Sequence, residues 1–131
     1  MGNIHAIGEA YQITSDESLT WNQIHTAVAN ALGTELRSVH IATETIAAAY
    51  PDQIGGLLGD KSNTVIFDNT KIKRAVPEFR AVTRFDQGAR ECIDYIYSHP
   101  ECQNPDPEFD VWCDAMIERY ESMLASLPHF D

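Results

Sequence analysis

The sequence predicts a small, helix-rich α/β domain (α+β-like), with about three short strands and four or five helices. Three observations lead there. Short stretches with a period of two alternate along the chain with longer stretches that follow the helical period. Ser, Thr, Asp, Gly and Pro fall where helices should begin and end. The length of 131 residues with 44% hydrophobic content suits one domain around one core, so residues 1–131 are expected to fold as a single domain.

Residues 9–17 (EAYQITSDE) come first. Ala10, Gln12 and Thr14 share one face and Tyr11, Ile13 and Ser15 the other, which predicts a strand running into a polar turn. A helix is expected next. Trp21, Ile24, Val28 and Leu32 recur at helical spacing, with Ala27 and Ala31 beside them. Thr20 and Gln23 have the spacing of a capping box, and Gly33 is a natural stop. Residues 36–42 (LRSVHIA) alternate and predict a second strand. Residues 43–50 read as a helix that Pro51 interrupts, and Gly55, Gly56 and Gly59 mark a loop or broken helix beyond it. Residues 64–68 (TVIFD) predict a third strand.

Asp68, Asn69 and Thr70 can accept from free backbone N–H groups and so open a short helix that Pro77 ends. Lys71, Lys73 and Arg74 lie on it. Neighbours on a helix point about 100° apart, so the three cannot form one patch. Lys73 and Arg74 are expected in solvent and Lys71 toward a ligand cleft. Thr83 and Asp86 predict another capping box, ahead of an apolar stripe of Phe85, Ala89, Cys92, Ile93 and Ile96 that Pro100 closes. Residues 99–108 read as a linker. The last helix is expected over 108–127, with Pro107 at its first position and acids near the positive end of its dipole. Its stripe, from Phe109 through Trp112, Met116 and Tyr120 to Leu127, is the longest apolar pattern in the chain and is expected to join the core.

Charge excludes several functions. The net charge of −11 and pI near 4.7 argue against nucleic-acid binding and against docking on anionic lipid. No apolar run reaches the length of a membrane span, and no signal peptide is evident, which predicts a cytoplasmic protein. Cys92, Cys102 and Cys113 are odd in number and unpaired in spacing, as expected of reduced thiols. His99, Cys102 and Cys113 lack the spacing and fourth ligand of a zinc site, so no metal is expected. No Gly-rich dinucleotide turn, phosphate loop, Cys-x-x-Cys or Gly-x-Ser-x-Gly is present, and no catalytic or cofactor-binding residue is assigned.

Three stretches together carry a resemblance. GEAYQITSDESLTWNQIHTAVANALG (8–33), GDKSNTVIFDNTKIKRAVPEF (59–79) and VTRFDQGARECIDYI (82–96) resemble, in order and spacing, the C-terminal substrate-binding part of the NAD-dependent epimerase/dehydratase family, the extended short-chain dehydrogenases/reductases. Asp68, Thr70 and Lys71 fall on that family's Asp-x-Ser/Thr-Lys positions. The resemblance spans residue 3 to about residue 98. It implies a chain that lacks the N-terminal nucleotide-binding domain, since none of tyrosines 11, 50, 95, 97 and 120 has a Lys four residues on. It implies further that the chain binds no cofactor itself and is inactive alone, while NAD(P) serves the full-length enzyme. The implied partners are the missing nucleotide-binding domain and a small-molecule substrate, with weak homo-oligomerisation through the uncovered face. Residues 50–60 are expected to line the substrate pocket, with Tyr50, Leu57 and Lys71 facing it. Nucleotide-sugar members commonly carry an Arg where Leu57 stands, and Leu cannot pair with a diphosphate. The alternative is a free-standing small α/β ligand-binding or protein-interaction module.

Overall fold

A computed structural model describes Gly2 and residues 4–128; Asn3, the first position of the family resemblance, lies outside the described residues. Six α-helices follow in order: α1 (Trp21–Ala31), α2 (Thr43–Ala49), α3 (Ile54–Gly56), α4 (Thr70–Ala75), α5 (Phe85–Ser98) and α6 (Pro107–Ala125). Short 3-10 turns form at Ile4–Ala6, Pro51–Gln53 and Pro100–Cys102, and a π-helical turn at Leu57–Lys61. The chain divides into two compact units. Met1–Leu36 with Thr64–Ser98 makes the first, and Arg37–Asn63 with His99–Asp131 the second.

The expected strands at 9–17, 36–42 and 64–68 do not form: among the described residues there is no strand, so the fold is helical rather than α/β. Alternation specifies which way side chains point, but a strand also needs a neighbour to take its N–H and C=O groups. Along 64–68 the exposures show that the alternation separates nothing. Val65 (58%), Ile66 (73%) and Phe67 (56%) lie open on both faces of their segment. The carbonyls of Thr14 and Ser15 turn instead to Asn69, the residue before α4.

Helix ends follow local chemistry. At α1, the Thr20 hydroxyl accepts from the Gln23 N–H at 3.3 Å, and the Thr20 N–H donates to Gln23 Oε1 at 2.8 Å, closing a capping box. At its far end Gly33 has φ +70°, a left-handed conformation that disfavours any side chain. The Gly33 N–H donates to the Asn30 carbonyl and the Thr34 N–H to that of Ala29, satisfying groups the helix leaves free. At α5 the expected Thr83–Asp86 box does not form, and two acceptors serve the free N–H groups one residue later. The Arg84 N–H donates to Gln87 Oε1 at 3.1 Å, and the Phe85 N–H donates to Glu17 Oε2 at 2.8 Å. At α6 the Asp106 carboxylate accepts from the Phe109 N–H at 3.0 Å.

In the first unit α1 packs against α5. Ile24, Ala27 and Val28 of α1 are half-buried and Ala29 buried, while Phe85, Ala89 and Ile93 of α5 are half-buried. Trp21 and Leu32, at the two ends of the expected α1 stripe, are exposed. Among the described residues the buried side chains are Ala29, Ala47, Ile72 and Asn69. The stripe of α6 departs from expectation, because none of its side chains is buried. Its middle (Trp112, Cys113, Met116, Ile117, Tyr120) is half-covered, and Phe109, Met123 and Leu124 are exposed.

With so little buried apolar surface, helix caps weigh heavily. Thr20→Ala should destabilise the chain by about 0.5–2 kcal/mol. Urea unfolding followed by circular dichroism would measure it, and an unchanged midpoint would show that the box contributes nothing.

Candidate functional site

The first unit is held at residues 9–17 by polar contacts from Asn69, Lys71, Lys73 and the start of α5. Asn69, the residue before α4, is buried, and its amide Nδ2 donates to the Thr14 carbonyl at 3.0 Å and to Asp16 Oδ1 at 2.9 Å, with the Ser15 carbonyl at 3.5 Å. Lys73 also pairs with Asp16. Lys71 Nζ donates to Glu9 Oε2 at 2.6 Å and lies 4.9 Å from the centre of the Tyr11 ring. Glu17 Oε2 accepts from the Phe85 N–H in the first turn of α5.

This arrangement divides roles within the Asp68–Lys71 segment. Asp68 Oδ1 accepts from the Thr70 N–H at 2.8 Å and so starts α4. Asn69 occupies the capping position but makes no capping bond and points its amide at residues 14–16. Thr70 supplies the first helical N–H. Lys71, expected to face a ligand cleft, faces Glu9 and Tyr11.

Beside these contacts an open cleft of about 400 Å³ runs along α1 and the start of α5. Its polar lining includes Asn22, Gln23 and Thr26 from α1, Arg84 just before α5, and Asp86 and Arg90 from α5. Asp86 holds both guanidiniums: Arg84 Nε donates to Oδ1 at 3.0 Å and Arg90 Nη2 to Oδ2 at 3.1 Å. Glu17 lies in the same lining, so two cations face two carboxylates and the cleft has no net charge. Amide, hydroxyl and paired charges of this kind suit a neutral, hydroxyl-bearing ligand better than an anion. The Asp86–Arg90 pair has i,i+4 spacing and is legible in the sequence; the closing of α1 over it carries no local signal.

The other expected positions fall elsewhere. Tyr50 and Leu57 belong to the second unit and Lys71 to the first. Tyr50 packs on Phe109 and Trp112. Half-buried Leu57 offers its carbonyl to the N–H and hydroxyl of Ser62, at 2.9 and 2.8 Å. Among the described residues no group of three or more His, Cys, Asp or Glu could hold a metal ion. Cys92 and Cys102 are exposed free thiols, and burial pushes the half-buried Cys113 thiol up. No helix of the described residues is long and apolar enough to cross a membrane. No protein-family model matches the chain, and neither a curated protein nor a solved structure shows a significant match to it.

Hydrogen bonding sets the ionisation of the first unit. The Lys71 ammonium holds the Glu9 carboxyl below its ordinary value, and Lys73 followed by Asn69 does the same for Asp16. Bonds from Thr70 lower Asp68, and Arg84 with Arg90 lowers Asp86. Glu9 in turn raises Lys71. Each carboxyl ionises more readily folded than unfolded. Its contribution to stability is complete above the unfolded carboxylate pKa and is lost as pH falls through the folded value. Lys71 is the reverse, contributing fully below the unfolded lysine pKa and losing that contribution as pH rises through its raised one. Glu9, Asp16, Asp68 and Lys71 are exposed and Asp86 is half-buried, so salt weakens the effects.

The urea midpoint should therefore fall on the acid side of the carboxylate range. Lys71→Met should remove the part of that decline due to Glu9, and added salt should shrink the rest. An acid limb that neither change alters would show the pairs to be idle. Asn69→Ala should cost about 1–3 kcal/mol, since it leaves the Thr14 and Ser15 carbonyls without their donor and Asp16 with Lys73 alone. Asn69→Asp should cost more at neutral pH, because it sets a carboxylate against Asp16 and the same carbonyls. Thermal unfolding of the two variants orders them, and equal stability of Asn69→Asp and wild type would rule out the donor role.

Proposed function

We propose that this chain is the substrate-binding part of an NAD-dependent epimerase, dehydratase or reductase of the extended short-chain type, and that it is not catalytic by itself. In the whole enzyme the nicotinamide would carry the hydride and a family tyrosine on the nucleotide-binding domain would serve as acid and base. This chain would bind and orient the substrate.

What supports this reading most is that the stretches carrying the resemblance bond directly to one another inside the first unit. Glu9 pairs with Lys71, Asp16 with Asn69 and Lys73, and Glu17 with the start of α5. Residues far apart in sequence, and matched to the family by order alone, thus depend on each other for their place. The cleft along α1 and α5 supplies a wall of amide and hydroxyl groups for a polar substrate. Ile66 and Val82, exposed at 73% and 79%, suit a surface that a further domain covers.

Calorimetric titration of the chain with NAD⁺ and NADP⁺ should give no saturable heat, since no Gly-rich turn is present to approach the pyrophosphate. Isolated from its source, the chain should be continuous with, or accompanied by, a polypeptide bearing a Gly-rich βαβ unit and a Tyr-x-x-x-Lys pair. Micromolar cofactor binding by the chain alone, or isolation without such a companion, overturns the assignment.

A further inference from the structure

The second unit holds a cleft of about 240 Å³ lined by Tyr50, Asp106, Glu108, Phe109 and Trp112. Its walls are aromatic. Phe109 and Trp112, three residues apart on α6, lie nearly parallel at 15°, with ring centres 5.9 Å apart. Tyr50, just beyond α2, is tilted against them by 59° to Trp112 and 47° to Phe109, with ring centres at 5.3 and 6.3 Å. The rings therefore form two walls meeting at an angle, not one closed stack. Tyr50 and Trp112 are half-buried and Phe109 is exposed, so the cleft opens to solvent.

We infer that this cleft binds a small methylated ammonium ion. Ring faces carry the negative part of the aromatic quadrupole, and a cation set against two or three of them is attracted by each. Asp106 and Glu108 complete the lining with negative charge. One oxygen of Asp106 is engaged with the Phe109 N–H. The start of α6 is the positive end of its dipole, but Asp106, Glu108 and Asp110 oppose it there, and Asp114, Glu118 and Glu121 outnumber Arg119 along the rest of the helix.

Size and hydration narrow the ligand. The cleft is smaller than the ~300–1,000 Å³ usual for drug-sized molecules, so it suits a compact headgroup and not a cofactor. A primary ammonium or a sodium ion is strongly hydrated, and ring faces repay the loss of that water poorly. A methylated ammonium has an apolar exterior and a delocalised charge, and fits both the rings and the carboxylates. An anion would meet Asp106 and Glu108. The inference rests on the second unit alone and does not depend on the reading of the first.

The test uses the full chain with Trp21→Phe, which leaves Trp112 as the reporting indole. Titration with tetramethylammonium chloride should change its fluorescence saturably in the millimolar range, and sodium chloride at equal ionic strength should not. Tert-butyl alcohol, a neutral molecule of similar shape, should bind at least about tenfold more weakly. Tyr50→Leu keeps an apolar side chain but removes a π face, and should abolish saturation while circular dichroism stays unchanged. Glu108→Gln should weaken binding without touching the rings. No saturable response, equal binding of the neutral alcohol, or full binding by Tyr50→Leu would each overturn the inference.

Discussion

The first unit depends on one side-chain amide. Asn69 is the single polar residue buried among the described ones, and it lies against the main-chain carbonyls of Thr14 and Ser15, which have no ladder to join. A buried polar group is costly unless paired, and so are buried carbonyls. Here each satisfies the other. The flanking pairs, Lys71 with Glu9 and Lys73 with Asp16, are exposed and individually weak, but they fix the same segment from both sides of the amide. One buried orphan remains beside the contact, the Thr14 hydroxyl, which has no partner among the described residues.

This polar fastening explains how α1 and α5 can pack with so small an apolar core. Glu17 closes the start of α5 from the same segment that Asn69 holds, so residues 9–17 relate α4 to α5 through backbone and carboxylate, not through buried side chains. The cleft along α1 and α5 follows from that geometry. Its two arginines share one carboxylate.

Local signals in the sequence are the ones the structure carries. Thr20, Gln23 and Gly33 bound α1, Asp106 and Pro107 open α6, and Pro51 breaks the helix after α2, because each acts through its own backbone within a few residues. Non-local inferences fared differently. The alternation at 9–17 and 64–68 points to strands, but pairing is decided by what lies alongside, and neither segment forms a ladder. Asn69 reads as a cap because Asn usually is one, and its turn toward residue 16 depends on a contact 53 residues away. Phe109 and Trp112 have a helical spacing anyone could count, whereas the meeting with Tyr50 is visible only in three dimensions.

Neither compact unit is continuous in sequence. The first is completed by residues 64–98 and the second by residues 99–131, each after the chain has left it once. The bond from Asn69 to Asp16 thus closes a loop that contains α1, α2 and the broken helix through Lys61. Loop closure costs rise only slowly with length, so this long closure is affordable to a single well-placed amide. Its timing is constrained, however. On a ribosome, a chain that has emerged only to residue 63 holds one half of each unit and neither fastening. The first unit can close once α5 is out, and the second must wait for the final helix. A cut within residues 37–63 would release neither unit, because each would still be held by its other segment.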